Sequence, residues 1–405
     1  MKVYDPLYGS FILPSFASEL FLTPAVRRLS SVRLLNYGAP SLATLGEMRR
    51  YSHTMGVVRL ALENSLLNLS EVEMKTVIAA VILHDVGTPP FGHLFEYRLK
   101  EWFDWSHESI LGDLLRNEHV SEGSAHAFSQ GGFNQLDKII KRHNIDRDLL
   151  LDIVGKRSYL SSYVFGSLDF DNMDNVARMN WGLGNRVEVD KILSLARAVN
   201  VSPLGDLLLA EKDIDLVAYW AKLRKDAYDV LVFDEYTVSG QAVITKALDL
   251  AFANGEIVLD DWDSKDEQLT DTLSVGKSTK DIIGRDIFGG LPPMILFLRD
   301  LALTPDEIAQ LDQPLAGLIE LFLEEAHGLK RTYGYVFRDR GTFSKRLEFK
   351  DPDTGNAWAL GERSQSTILY GFSKADRPMK LTPAEVGGQF ESWVKRRAAV
   401  ANTRA

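Results

Sequence analysis

His84 and Asp85 stand together in the run Leu83-His-Asp-Val-Gly-Thr-Pro-Pro-Phe-Gly-His93. A His followed at once by an Asp, after an apolar run and before a Gly-Pro break, places an imidazole nitrogen and a carboxylate at one helix end. That is how a chain presents a hard divalent metal to a phosphate. The dipeptide alone is common by chance, so the inference rests on its surroundings. His53 lies upstream in Arg49-Arg-Tyr-Ser-His-Thr-Met-Gly56, and Asp171 lies downstream in Ser167-Leu-Asp-Phe-Asp-Asn-Met-Asp-Asn-Val-Ala-Arg178. Two further histidines, His93 and His107, follow the pair closely. An imidazole with a near-neutral pKa can donate a proton to a departing alkoxide or position a water.

Such residues need helix ends to hold them. Residues 77–83 are apolar on nearly every face, which predicts a central, buried helix. Ser70-Glu-Val-Glu73 is a capping box that opens it, and Gly87, Pro89 and Pro90 stop it beyond His84. His53 to Leu69 reads as a helix with Val57, Val58, Leu60, Leu62 and Leu66 on its apolar side, and helix restarts from Phe91 to Trp102. Further helices are expected at 106–118, 134–142, 147–154, 170–181, 188–199, 213–232 and 238–253. Residues 261–285 are polar and poorly periodic, and read as a linker or an excursion. After a helix near 315–328, strands are expected at Tyr333–Phe337, Arg346–Lys350 and Asn356–Leu360, with Asp351-Pro-Asp-Thr-Gly355 as a turn. The expected fold class is mainly all-α, with a small α+β appendage at the C-terminal end. The expected domains are a core over 1–255 and a helical and β region over 256–405.

The 405 residues suffice for one large or two moderate domains, and 45% hydrophobic with 25% charged content is ordinary for a soluble globular protein. There is no cysteine, which excludes thiolate metal sites and cysteine nucleophiles. No apolar run reaches the length of a membrane span, and the first residues lack the apolar core of a signal peptide. A cytoplasmic protein with no membrane partner is the expectation. A net charge of −10 argues against a chain that coats nucleic acid non-specifically, so an anionic substrate must be met by a metal and a few placed arginines.

Order and context resemble the HD-domain phosphohydrolases, most closely the branch of deoxynucleoside triphosphate triphosphohydrolases of the SAM-and-HD-domain type. Asp5-Pro-Leu-Tyr-Gly9 is similar to that branch's opening, and Thr23-Pro24 with Arg28-Leu29 to its next segment. Arg50-Tyr-Ser-His53 resembles its Arg-Phe-x-His, residues 84–93 its His-Asp-x-Gly-His-x-Pro-Phe-x-His, and Trp105-Ser-His107-Glu108 its Trp-Thr-His-Glu. Asp169-Phe-Asp171 with Asp174 and Arg178 resembles its Asp-x-Asp-x-x-Asp-x-x-x-Arg. The similarity covers roughly residues 1–250.

The resemblance implies an HD-domain helical core in which His53, His84, Asp85 and Asp171 hold one divalent metal ion. Two neutral imidazoles and two carboxylates make a mixed N/O site suited to Mn, Fe, Mg, Co, Ni or Zn. It further implies His93 and His107 as non-ligand catalytic histidines and Arg50 as a substrate-phosphate contact. Glu96, three residues after His93, occupies an acidic position that the family fills with Asp. Asp174 and Arg178 also read simply as an i,i+4 ion pair, and Asp169 as a helix cap.

Several positions depart from the pattern. Thr88 stands where the family often has His, Asn172 at a phosphate-binding Lys, Asn175 at a Tyr near the sugar and phosphates, Met179 at an Asp that meets the 3′-hydroxyl, and Leu34 at a Gln facing the sugar. The metal machinery is complete while the substrate-reading residues, Asn172 and Asn175 among them, are altered.

The leading expectation is a dNTP triphosphohydrolase acting on a deoxynucleotide and releasing nucleoside and triphosphate. A 5′-nucleotidase or phosphodiesterase of the same superfamily is the alternative. A third reading, of a different class, is a nucleotide-sensing or nucleic-acid-binding module with a weak HD site. The basic, aromatic-interleaved stretch 330–350 could bind a nucleotide effector or a nucleic acid strand, or could be a solvated hairpin face. The family branch implies a homo-oligomer.

Overall fold

In the computed structural model, residues 1–64, 66, 69–116, 135–303, 308, 311, 313–340, 345–362, 365–374 and 380–402 are described. His119 and His126, to which the sequence assigns no chemistry, and the end of the helix expected at 106–118 lie outside them. The chain is mainly helical, with small sheets. It forms two compact units that interleave in sequence. The first comprises residues 1–227, 257–272 and 346–362, and the second 228–256, 273–345 and 363–405.

The first unit is built on helices α1 (Ser15–Phe21), α2 (Pro24–Arg28), α3 (Arg50–Glu63), α4 (Glu71–Leu83), α5 (His93–Phe103), α6 (His107–Arg116), α7 (Gln135–Arg142), α8 (Arg147–Val154), α9 (Phe170–Gly182) and α10 (Val189–Ala198). Helix α4 begins as its capping box requires. The Ser70 hydroxyl accepts from Glu73 N at 3.3 Å, and the Glu73 carboxylate accepts from Ser70 N at 2.8 Å. Every residue from Val77 to Leu83 is buried. Burying Val77, Val81, Ile82 and Leu83 contributes about 1.5–3 kcal/mol each. Helix α3 starts three residues before the expected His53 and ends at Glu63, earlier than Leu69.

This unit also contains strands, of which those near 346–350 and 356–360 were expected and those within 2–12 and 200–208 were not. β1 (Lys2–Asp5) pairs antiparallel with β2 (Gly9–Ile12). β3 (Asn200–Val201), β4 (Leu207–Leu208), β7 (Leu347–Lys350) and β8 (Ala357–Leu360) form a four-stranded sheet in that order, with Leu208 opposite Lys350 in parallel register. That pairing is why residues 346–362 belong to the first unit. Residues 261–285, expected as a linker, are structured. Trp262 is fully buried, and Asp266 opens helix α13 (Asp266–Val275) with its carboxylate buried. Helices expected at 213–232 and 238–253 are α11 (Ile214–Phe233) and α12 (Glu235–Ala253).

In the second unit, β5 (Met294–Arg299), β9 (Gln365–Ser373) and β6 (Thr332–Arg340) form an antiparallel sheet with β9 in the middle. Side chains alternate across it. Leu296 and Leu369 join Leu318, Phe322 and Phe390 from helices α14 (Leu315–His327) and α15 (Pro383–Asn402), while Ile368, Tyr370 and Phe372 pack with Val238 and Val243 of α12. Of the basic stretch, Tyr333 is buried in this core rather than displayed, so stacking on a base is not open to it.

Candidate metal centre and its flanking histidines

Three helix ends converge in the first unit. His53 lies in the opening turn of α3, His84 immediately follows α4, and Asp171 sits in the opening turn of α9, where the helix dipole favours a carboxylate. His53 Nε2 lies 2.7 Å and His84 Nε2 3.4 Å from the same oxygen, Asp171 Oδ1. His84 Nε2 is also 3.6 Å from Asp85 Oδ2. The His84 ring is buried, and its Nδ1 donates to the Val81 carbonyl at 2.8 Å. That bond leaves Nε2 as a bare acceptor, and Nε2 has no hydrogen-bond partner. An orphaned imidazole nitrogen aimed at two carboxylates fits a divalent cation with N/O preference. Donor atoms of His53, His84 and Asp171 lie within 4.8 Å of one another, and Asp85 flanks them.

The electrostatics agree. Burial would depress the His53 ring, yet hydrogen bonds to Asp171 and Asp174 lift its pKa to about 9. Burial would raise Asp171, but the hydrogen bond with His53 and the nearby His84 ring hold it well below the usual carboxylate range. Asp85 is held low in the same way, by Arg50 and then His84 against its burial. A cation among these atoms would displace the proton that the carboxylates otherwise keep on His53.

The next layer orients this set. His53 Nδ1 donates to Asp174 Oδ2 at 2.7 Å, so Asp174 fixes the ring and its tautomer. Arg178 in turn grips Asp174 at 2.9 and 3.0 Å and reaches Asp5 Oδ2 at 3.0 Å. The i,i+4 pair that the spacing suggests therefore exists, but its larger role is to position a histidine. Gly56 makes room for it, because a Cβ there would lie 1.9 Å from Asp174 Oδ1. Asp169 is the N-cap of α9, accepting from Asn172 N at 2.6 Å.

Arg50 is buried and its Nη1 lies 3.0 and 2.8 Å from the two oxygens of Asp85, while its Nε has no partner. Thr88 Oγ donates to Asp85 Oδ1 at 2.8 Å, so the departure from His serves the carboxylate. Asn172 Nδ2 is engaged by Asp169 at 2.9 and 3.1 Å. Asn175 is half-buried one turn beyond Asp171, and Met179 and Leu34 are buried.

His93 and His107 each begin a helix, and Glu96 bridges them. His93 Nδ1 lies 2.7 Å from Glu96 Oε2, and His107 Nδ1 bonds Glu96 Oε1. Burial raises the Glu96 carboxyl, but the bonds from His107 and His93 more than offset it and leave it well below its ordinary range. His107 is mostly buried while His93 is half exposed. Asp174 was legible in the sequence as a motif position and an i,i+4 ion pair but not as the residue that orients His53, whereas Glu96 was legible from its i,i+3 spacing to His93.

Residues 50–179 match the model of the HD domain. Curated relatives include an uncharacterized protein, MG461, of Mycoplasma genitalium, 22% identical over 58% of this chain and 56% of its own. The deoxynucleoside triphosphate triphosphohydrolase SAMHD1 of Homo sapiens is 27% identical over 53% of this chain and 38% of its own. The chain thus spans about half or less of the length of these relatives. Among solved structures, the phosphohydrolase BT4208 of Bacteroides thetaiotaomicron superposes with a TM-score of 0.61 at 16% identity, covering 93% of this chain and all of that one, which shows a shared fold.

Proposed function

Because residues 50–179 of this chain are an HD domain, we propose that the protein is a metal-dependent phosphohydrolase acting on nucleotides, and in the leading form a dNTP triphosphohydrolase. The observation that carries the proposal is the orphaned His84 Nε2 facing Asp171 and Asp85, with His53 on the same Asp171 oxygen. His53, His84, Asp85 and Asp171 would hold the ion, which when bound supplies Lewis-acid charge to a phosphoryl oxygen and acidifies water. The chain's own groups do the rest. Glu96 accepts from Nδ1 of both His93 and His107 and so orients two rings that can carry a proton toward a leaving 5′-oxygen or away from a water. Arg50 keeps Asp85 ionised and adds a buried positive charge beside the site, where phosphate would be gripped by a guanidinium.

A specific observation favours keeping the monophosphatase or phosphodiesterase reading. Met179 is buried and Asn172 is tied to Asp169, so the positions that would read the sugar and the outer phosphates bring no charge. The two readings are separated by incubating the protein with Mn, Mg, Fe, Co, Ni or Zn and a panel of dNTPs and nucleoside monophosphates. Inorganic triphosphate supports the leading form, and phosphate released from monophosphates supports the other. Turnover of neither, nor of an oligonucleotide, with every metal refutes the phosphohydrolase assignment.

A further inference from the structure

Trp262 to Asp266 lie far downstream of the HD segment, yet they grip both loops that carry the flanking histidines. The loop from Asp85 to His93 is unusual in its backbone. Phe91 and Gly92 have φ of +57° and +52° in succession, and the former is a conformation that a bulky side chain rarely adopts. Something must hold it. The Asp266 carboxylate, 1% exposed, accepts from Phe91 N at 3.1 Å through Oδ1 and from Arg33 N at 2.7 Å through Oδ2. Arg28, also buried, donates Nη1 to the Thr88 carbonyl at 2.9 Å. Its other donors reach the carbonyls of Asp263 at 2.7 Å, Trp262 at 2.9 Å and Ser264 at 3.0 Å. One guanidinium thus ties the His93 loop to the downstream segment.

The second loop is held by the same segment. Trp262, fully buried, packs on Trp105 with ring centroids 5.7 Å apart, two residues before His107. Gly87 of the first loop lies against the second, where a Cβ would meet the His107 carbonyl at 2.4 Å. None of Arg28, Trp262 and Asp266 is placed at the metal ligands. Their contacts converge on the backbone that sets the separation of His93, Glu96 and His107.

We propose that Trp262–Asp266, together with Arg28, is a positioning clamp for the His93–Glu96–His107 relay. It fixes where the two proton-carrying rings stand without contributing to metal binding. The role rests on the phosphohydrolase reading for its catalytic consequence, but its geometric content is independent of activity.

The test uses the full chain in three forms, wild type, Asp266→Ala and Asp266→Asn. Asparagine keeps one oxygen to accept from Phe91 N but sets its amide NH2 against Arg33 N–H, and alanine keeps neither contact. Histidine side-chain NMR on zinc-loaded protein reads all three, with metal content measured in parallel. In Asp266→Ala the His93 and His107 resonances should move while those of His53 and His84 and the bound metal stay as in wild type. Asp266→Asn, which keeps the bond from Phe91 N, should move them less. On the substrate found for wild type, Asp266→Ala should lower kcat by about 10²-fold, as a misplaced catalytic group does, with KM little changed and with Asp266→Asn between the two. Unmoved His93 and His107 resonances in Asp266→Ala would overturn the clamp. So would parallel loss of metal and folding in both variants, which would make the segment simply structural; Arg28→Lys, which keeps the charge and loses the multiple donors, then checks the result. Absence of turnover in wild type would instead count against the phosphohydrolase reading and leave the NMR arm to decide the clamp.

Discussion

His84 and His107 are both mostly buried imidazoles, and what separates their roles is the partner of each nitrogen. His84 spends Nδ1 on a main-chain carbonyl and turns a bare Nε2 toward Asp171 and Asp85. His107 spends Nδ1 on Glu96, outside the cluster of donor atoms. His84→Ala or Asp85→Ala should therefore abolish hydrolysis and bound metal together, checked by elemental analysis beside a turnover assay. Full activity in either variant would break the site assignment. His107→Ala should keep the metal and lower turnover by about 10²–10⁴-fold, the usual worth of a general acid or base. Loss of metal there would mean that its role is misplaced. Residue identity told the ligand types, but the departures could be understood only in place. Thr88 supports Asp85 with its hydroxyl, and Met179 turns into the core.

Helix ends supply the donors, and helix faces supply their support. Helices α3 and α9 approach closely enough that Gly56 faces the Asp174–Arg178 pair with no room for a methyl. Gly56→Ala should cost about 1–3 kcal/mol through overpacking, and by displacing Asp174 from His53 should weaken metal binding by about 10–100-fold. Denaturant melts and metal titration of the same variant measure both. An unchanged affinity would show that Asp174 does not orient His53. The boundaries of α4, α7 and α8 were legible because a capping box, an aspartate cap and clean apolar periodicity act within a few residues. The strands β1 to β4 were not, since two- to four-residue strands are stabilised by their partners more than by their own pattern.

At the scale of the whole molecule, the proposed ligand carboxylates would link metal binding to stability. A cation that binds only the folded chain should add about 2.7 kcal/mol at a hundred times its Kd, seen as a rise in melting temperature that chelation reverses and Asp171→Ala removes. No helix among the described residues is long and apolar enough to cross a membrane. The interleaving of units makes a second prediction. A chain ended at residue 255 lacks Trp262, Asp266 and the strand that pairs with Leu208, so it should lose cooperative melting and expose Trp105, checked by calorimetry and tryptophan fluorescence. A cooperative transition in that fragment would show that the downstream segments are dispensable. The sequence by itself determined the reaction chemistry on offer, because ligand types, their order and the helix stops on either side of His84-Asp85 are local properties of the chain. Only the tertiary structure decided that Asp174 serves a histidine, that Arg50 pairs with Asp85, and that a polar stretch near 265 holds the loops of His93 and His107. Those contacts join residues 35 to 236 positions apart, and no periodicity records a partner that distant.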